Sequence, residues 1–251
     1  MEELRLSDIP ENTKQIVEPF FMDIISHSRE NINSLYLIGS VVTTDYNIKY
    51  SDINTLIVVK QIEIPFFDFV ATLGKRYGKK KVRAPIIITR DYIHRTLDVF
   101  PLEFLDMKLM HRLVYGDDVF HDIQLKKNDV RLQCERELKG KLENLCQCYI
   151  KAMGNKTVLA ESFYRALSGY FPLFRGVLFL YDENMPGEKR EVLRALKERC
   201  GIEIHAFEKL LDFRTKCVYP SLQELKEIFA DLYRELDVIV KKVDEYKIRH
   251  E

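Results

Sequence analysis

The sequence predicts an α+β chain whose strands are confined to the N-terminal half, followed by an all-α helical region. Three observations carry that prediction. Helix and strand signals alternate as far as residue 125, no strand pattern follows, and Gly, Asn and Pro breakers cut the second half into helix-length segments. The expected division places residues 1–126 in the first domain and residues 127–251 in a helical second domain.

In the first half, Ile16, Val17, Phe20, Phe21, Ile24 and Ile25 recur at helical spacing between Pro10 and Ile32. Ser34 to Ile38 is a short apolar run ending at Gly39-Ser40, which reads as a buried strand entering a turn. Asp52 to Val59, rich in β-branched residues, reads as a second strand. Pro65 opens a helix expected to run to Leu73 and to be ended by Gly74, Gly78 and the basic run around them. Val82 to Thr89 is a third strand, Arg90 to Val99 a short helix stopped by Pro101, Leu102 to Met107 a fourth strand, and Arg112 to Tyr115 a fifth.

In the second half, Asn128 and Asp129 are expected to cap a long helix reaching Met153. Further helices are expected at Lys156 to Tyr181, Glu188 to Cys200, His205 to Lys216, and from Ser221 to the end. Phe163, Tyr164, Tyr170, Phe171, Phe174, Phe179 and Tyr181 fall at helical spacing and read as core, with the lining of an acceptor pocket as the alternative.

Composition narrows the function classes. Lys+Arg and Asp+Glu both number 39, so the formal net charge is zero, which argues against long nucleic acid as a partner. Apolar runs such as Leu56 to Val59 and Ala84 to Ile88 are far short of the ~20 residues of a membrane span. The acidic N-terminal stretch does not read as a secretory signal. The five cysteines are odd in number and irregular in spacing, which reads as reduced thiols in a cytoplasmic protein. The six histidines form no metal-binding pair, and no nucleophile elbow or Walker lysine is present. Lys75, Arg76, Lys79, Lys80, Lys81 and Arg83 put six basic residues within nine positions, which reads as a solvated helix end, with a patch for phosphate or an acidic partner as the alternative.

The informative stretch is Leu37-Ile38-Gly39-Ser40, eleven residues, then Asp52-Ile53-Asn54. A glycine at a strand end lets the backbone approach a phosphate, and the Ser40 hydroxyl with nearby amides can hold terminal phosphates. On a strand, Asp52 and Asn54 point to one face, where two oxygen ligands can share divalent cations bridging a triphosphate.

These residues resemble the DNA polymerase β-like nucleotidyltransferase superfamily, in which Gly-Ser is followed about a dozen residues later by Asp-hydrophobic-Asp/Glu. The matching positions are Gly39, Ser40 and Asp52, and the preceding Ser51 fits the Ser-Asp pair of many members. The resemblance covers about residues 10 to 120, and the helical remainder looks like the bundle of the two-domain aminoglycoside nucleotidyltransferases. It implies a small mixed sheet flanked by helices. It also implies nucleotide binding by Gly39, Ser40 and Ser51, and Mg²⁺ or Mn²⁺ held by Asp52, Asn54 and a third acid that orients or deprotonates the attacking hydroxyl. Glu103 is the first choice for that acid, with Asp106 and Asp98 as alternatives.

One position departs from the pattern. Asn54 stands where the second metal-site acid belongs, and an amide offers a neutral oxygen that cannot act as a base. Two functions follow. The chain is expected to transfer a nucleoside monophosphate from an NTP, with ATP the first choice, to a hydroxyl of a small molecule or a protein. The alternative is a catalytically impaired member that binds nucleotide as a regulatory or interaction protein.

Overall fold

The computed structural model describes residues 4–48, 51–182 and 184–246. Residues 1–3 of the acidic N-terminal stretch and 247–251 of the expected last helix lie outside the described residues. The chain divides into two compact units, Met1–Leu97 with Asp106–Gln124, and Asp98–Leu105 with Leu125–Glu251.

The first unit is built on a four-stranded mixed sheet. Strands β1 (Ile32–Ile38), β2 (Asn54–Val59), β3 (Ile86–Thr89) and β4 (His111–Gly116) lie in the order β3-β2-β1-β4. The β1–β2 and β1–β4 pairs are antiparallel, and β2–β3 is parallel. Helices α1 (Glu11–Ser28) and α2 (Ile64–Tyr77) contribute Val17, Phe20, Phe21, Ile24, Phe66, Val70 and Tyr77 to a core that Leu35, Leu37, Ile57 and Val59 of the sheet complete. The alternation of the strands turns Tyr36 to the other face. There its ring meets Phe120 edge-on at 5.2 Å. Its hydroxyl donates to the Asp117 carbonyl at 2.9 Å and accepts from the Val119 N–H at 2.7 Å, and burial pushes the phenol up to about 12.

Several expectations are corrected. Helix α2 runs through Gly74 to Tyr77, because its buried residues Val70, Leu73 and Tyr77 keep one stripe on the core. Strand β3 starts only at Ile86. Pro85 has no N–H for a ladder, and Val82 is left as an isolated parallel bridge to Ile53. The helix α3 covers Arg90–Thr96. The expected strand from Leu102 to Met107 is instead helix α4 (Pro101–Leu109). Pro101 suits a first helical position, and Leu102 and Leu105, three apart, share a buried face.

The second unit holds helices α5 (Lys127–Lys151), α6 (Lys156–Leu167), α7 (Phe171–Tyr181), α8 (Lys189–Cys200), α9 (His205–Thr215) and α10 (Leu222–Asp244). Asn128 and Asp129 lie inside the first turn of α5 and do not cap it. The single helix expected over 156–181 is broken by a 3₁₀ turn at Ser168–Tyr170, followed by Pro172 in the first turn of α7. Gly201 ends α8 in the left-handed region at φ +59°, and Ser221 with Glu224 forms a reciprocal capping box on α10. Tyr170, Phe171, Phe174 and Phe207 form a cluster of aromatic contacts at 4.9 to 6.0 Å in this unit's core. No helix of the described residues is long and apolar enough to cross a membrane.

Two predictions follow from packing. Gly116 has φ +80°, and a Cβ there would lie 1.9 Å from the Asn33 carbonyl oxygen. Gly116→Ala should therefore cost at least about 2 kcal/mol, read as a lowered midpoint in thermal or urea unfolding. In the second unit, the Glu235 carboxylate caps α9 by accepting from the Ala206 N–H at 2.9 and 3.2 Å, and burial pushes its carboxyl from 4.5 up to about 7. The folded chain thus holds this proton more tightly than the unfolded chain, so this group's contribution to stability falls as pH rises from 4.5 to about 7. Glu235→Gln should flatten that part of the stability-versus-pH profile, raising its melting temperature relative to wild type between pH 5 and pH 8; an unchanged profile would contradict it.

Candidate active site

Strand β1 ends at Ile38, which pairs with Asn54 at the start of β2. This register sets the next residue, Gly39, against the Asn54 side chain: a Cβ on Gly39 would lie 3.7 Å from Asn54 Nδ2. Gly39 takes φ +78°, a conformation open to glycine at little steric cost, and the chain turns through a 3₁₀ segment at Gly39–Val42. Val41 is buried in the core and anchors the turn from below. The Gly39 N–H is committed to the Met110 carbonyl at 2.8 Å, and the Ser40 carbonyl accepts from the Thr43 N–H and hydroxyl, each at 3.0 Å. The Ser40 hydroxyl and the Asn54 amide make no hydrogen bond among the described residues.

Ile53 is buried, so its neighbours Asp52 and Asn54 turn to the face opposite the core. Asp52 is already paired. The Arg83 Nε and Nη2 reach its Oδ2 at 2.7 and 2.6 Å. Backbone bonds hold that pairing in register: Ile53 N–H donates to the Lys81 carbonyl at 2.9 Å, and Arg83 N–H donates to the Ile53 carbonyl at 3.0 Å. Lys81 sits in the left-handed region at φ +65°, which brings the chain out of α2 and alongside Ile53. Ser51 closes the preceding loop. Its N–H donates to the Asn47 carbonyl at 2.7 Å, and its hydroxyl accepts from the Asn47 N–H at 3.1 Å.

Comparison with solved structures finds a spectinomycin adenyltransferase AAD(9) from Enterococcus faecialis, solved with ATP and spectinomycin. The two share 12% sequence identity at a TM-score of 0.54, over 89% of this chain and 98% of that one. The fold is that of a nucleotidyltransferase with a helical region after it. No family model and no curated protein sequence matches this chain.

Within the nucleotidyltransferase fold, the candidate residues fall into two groups. Gly39, Ser40, Asp52 and Asn54 gather around the bend between β1 and β2, with Ser51 in the loop that leads to it. Glu103 lies on helix α4, and its Oε2 accepts from the Gln133 Nε2 at 2.9 Å. Gln133 is 4% exposed and also accepts from the Leu102 N–H at 2.9 Å, so the Glu103 carboxylate belongs to the bonding that anchors the start of α4. Asp106 lies on the same helix, where residues three apart are neighbours. Asp98 lies in the turn between α3 and α4.

Arg83 is the residue that sequence reading missed. It was legible only as one cation of a basic run, although Val82, buried beside it, marks the alternation that turns Arg83 outward. The donors do not fit the paired-cation site that the resemblance implies. The Asp52 carboxylate is bound by a guanidinium, Asn54 is neutral, and no group of three or more His, Cys, Asp or Glu among the described residues could hold a metal ion.

The bend makes its own prediction. Gly39→Ala keeps the space, since the nearest atom stands at 3.7 Å, but forces a side-chain residue into φ +78°. It should lower stability by about 1 kcal/mol, measured as a lowered midpoint in thermal unfolding.

Proposed function

We propose that this chain binds a nucleoside triphosphate with its polyphosphate at the Gly39–Ser40 bend and transfers the nucleoside monophosphate to a hydroxyl. One observation carries the reading. A left-handed glycine sets an uncommitted Ser40 hydroxyl and an uncommitted Asn54 amide at the end of one antiparallel pair, with the Asp52 carboxylate on the same face. ATP is the preferred nucleotide and a small molecule the preferred acceptor, because the structure with the similar fold was solved with ATP and spectinomycin. A protein hydroxyl is the other acceptor class. The five free cysteines support a reducing compartment, the cytoplasm.

In this reaction the acceptor oxygen attacks the α-phosphorus, the bond to the bridging α–β oxygen breaks, pyrophosphate leaves, and the acceptor proton passes to a base. Such transfer depends on alignment and charge neutralisation more than on covalent help from the protein. Ser40 and Asn54 would position the polyphosphate, and Ser51 would shape the loop that leads to Asp52. Glu103 is proposed as the base on the resemblance alone. Mg²⁺ or Mn²⁺ is the ion that the resemblance implies, and the donor set at the bend does not support a pair of them.

A second reading is favoured by the same donor set: nucleotide binding without turnover, in a regulatory protein. The test is pyrophosphate release from each NTP with panels of hydroxyl acceptors, with and without Mg²⁺ or Mn²⁺. The transfer reading expects release that Asp52→Ala lowers by about a hundredfold or more. Tight ATP binding with no pyrophosphate from any acceptor would establish the second reading in its place.

A further inference from the structure

Asp52 faces a cation that the chain itself supplies. Arg83 is placed by backbone register, since Ile53, the residue between Asp52 and Asn54, bonds to Lys81 on one side of Val82 and to Arg83 on the other. Its Nε hydrogen and one Nη2 hydrogen go to a single oxygen, Asp52 Oδ2. A guanidinium has five N–H donors, so the Nη1 pair and the second Nη2 hydrogen remain, on a side chain 66% exposed. No other bond engages them among the described residues.

The charge at the bend is therefore unlike that of a site with two carboxylates. Two acids present two negative charges, and a triphosphate can approach them only with cations between. Here one carboxylate, one neutral amide and one guanidinium leave no net charge, so that repulsion is removed in advance. The fork of Arg83 can hold Asp52 with one edge and phosphate oxygens with the other. We propose that Arg83 takes the place of a bound divalent cation at this bend, and that the site takes a nucleoside triphosphate without a divalent metal. This rests on the nucleotide-binding reading given above.

The test is calorimetric titration of the full chain with ATP in EDTA and again in excess Mg²⁺. Wild type is expected to bind in EDTA with a Kd within about threefold of its value in Mg²⁺. Arg83→Gln is expected to weaken binding in EDTA by about tenfold or more, and Mg²⁺ should then restore part of the loss, because Asp52 is freed to hold it. Arg83→Lys, which keeps the charge and loses the fork, should fall between. Circular dichroism checks each variant's fold. Asn54→Asp supplies an independent arm if Arg83→Gln does not fold: the added carboxylate should weaken binding in EDTA and make it respond to Mg²⁺. Wild-type binding that needs Mg²⁺, or Arg83→Gln binding in EDTA as tightly as wild type, overturns the role of Arg83 and leaves the nucleotide reading standing. No binding under any condition overturns both.

Discussion

The pairing of Ile38 with Asn54 is the contact on which the candidate site depends. Because β1 and β2 run antiparallel in this register, the exit of one strand and the entry of the next lie side by side. The bend at Gly39 and the polar residue at the start of β2 become neighbours, although fourteen residues separate Gly39 from Asn54 in the chain. A slip of one residue would turn Asn54 toward the core and Thr55 toward the bend. The register is held by burial: Leu35 and Leu37 on β1, with Ile57 and Val59 on β2, must all face α1 and α2. The core of the first unit thus sets the geometry of the polar end of its sheet.

A second register, parallel and much shorter, sets the electrostatics. The bridge between Ile53 and Val82 is a single isolated pair, reached only because Lys81 adopts a left-handed conformation after α2. It delivers Arg83 to Asp52, and the two side chains neutralise each other at the face where a triphosphate would sit. An ion pair between partly exposed groups adds little to stability, about 0–1 kcal/mol, so its significance is positional. It decides what charge a ligand meets at the bend. The neutral Asn54 and the occupied Asp52 point the same way, toward a site that carries its own counter-charge.

Legibility from sequence followed how local the signal was. The Gly39-Ser40 turn and the β-branched strand after Asp52 could be read because each depends on its own few residues. The 102–107 segment could not, since Leu102, Phe104 and Leu105 form a short apolar run that suits a strand or a buried helix equally, and its helical state is sealed by Gln133 from thirty-one residues away. Glu103 therefore belongs to a helix and not to the strand its neighbours suggest. Gly74 read as a helix end, yet the packing of Leu73 and Tyr77 carries α2 past it. Arg83 was hidden because its meaning comes from a backbone bridge to Ile53, and nothing in a run of lysines and arginines marks the one that will be paired with an acid.

The most direct measurement is a structure of the chain with a non-hydrolysable ATP analogue, grown without divalent cations. The account predicts phosphate oxygens within hydrogen-bond distance of the Ser40 hydroxyl and the Arg83 guanidinium, with the Asp52 pair intact. A nucleotide bound elsewhere, or phosphates that contact neither the bend nor Arg83, would contradict it.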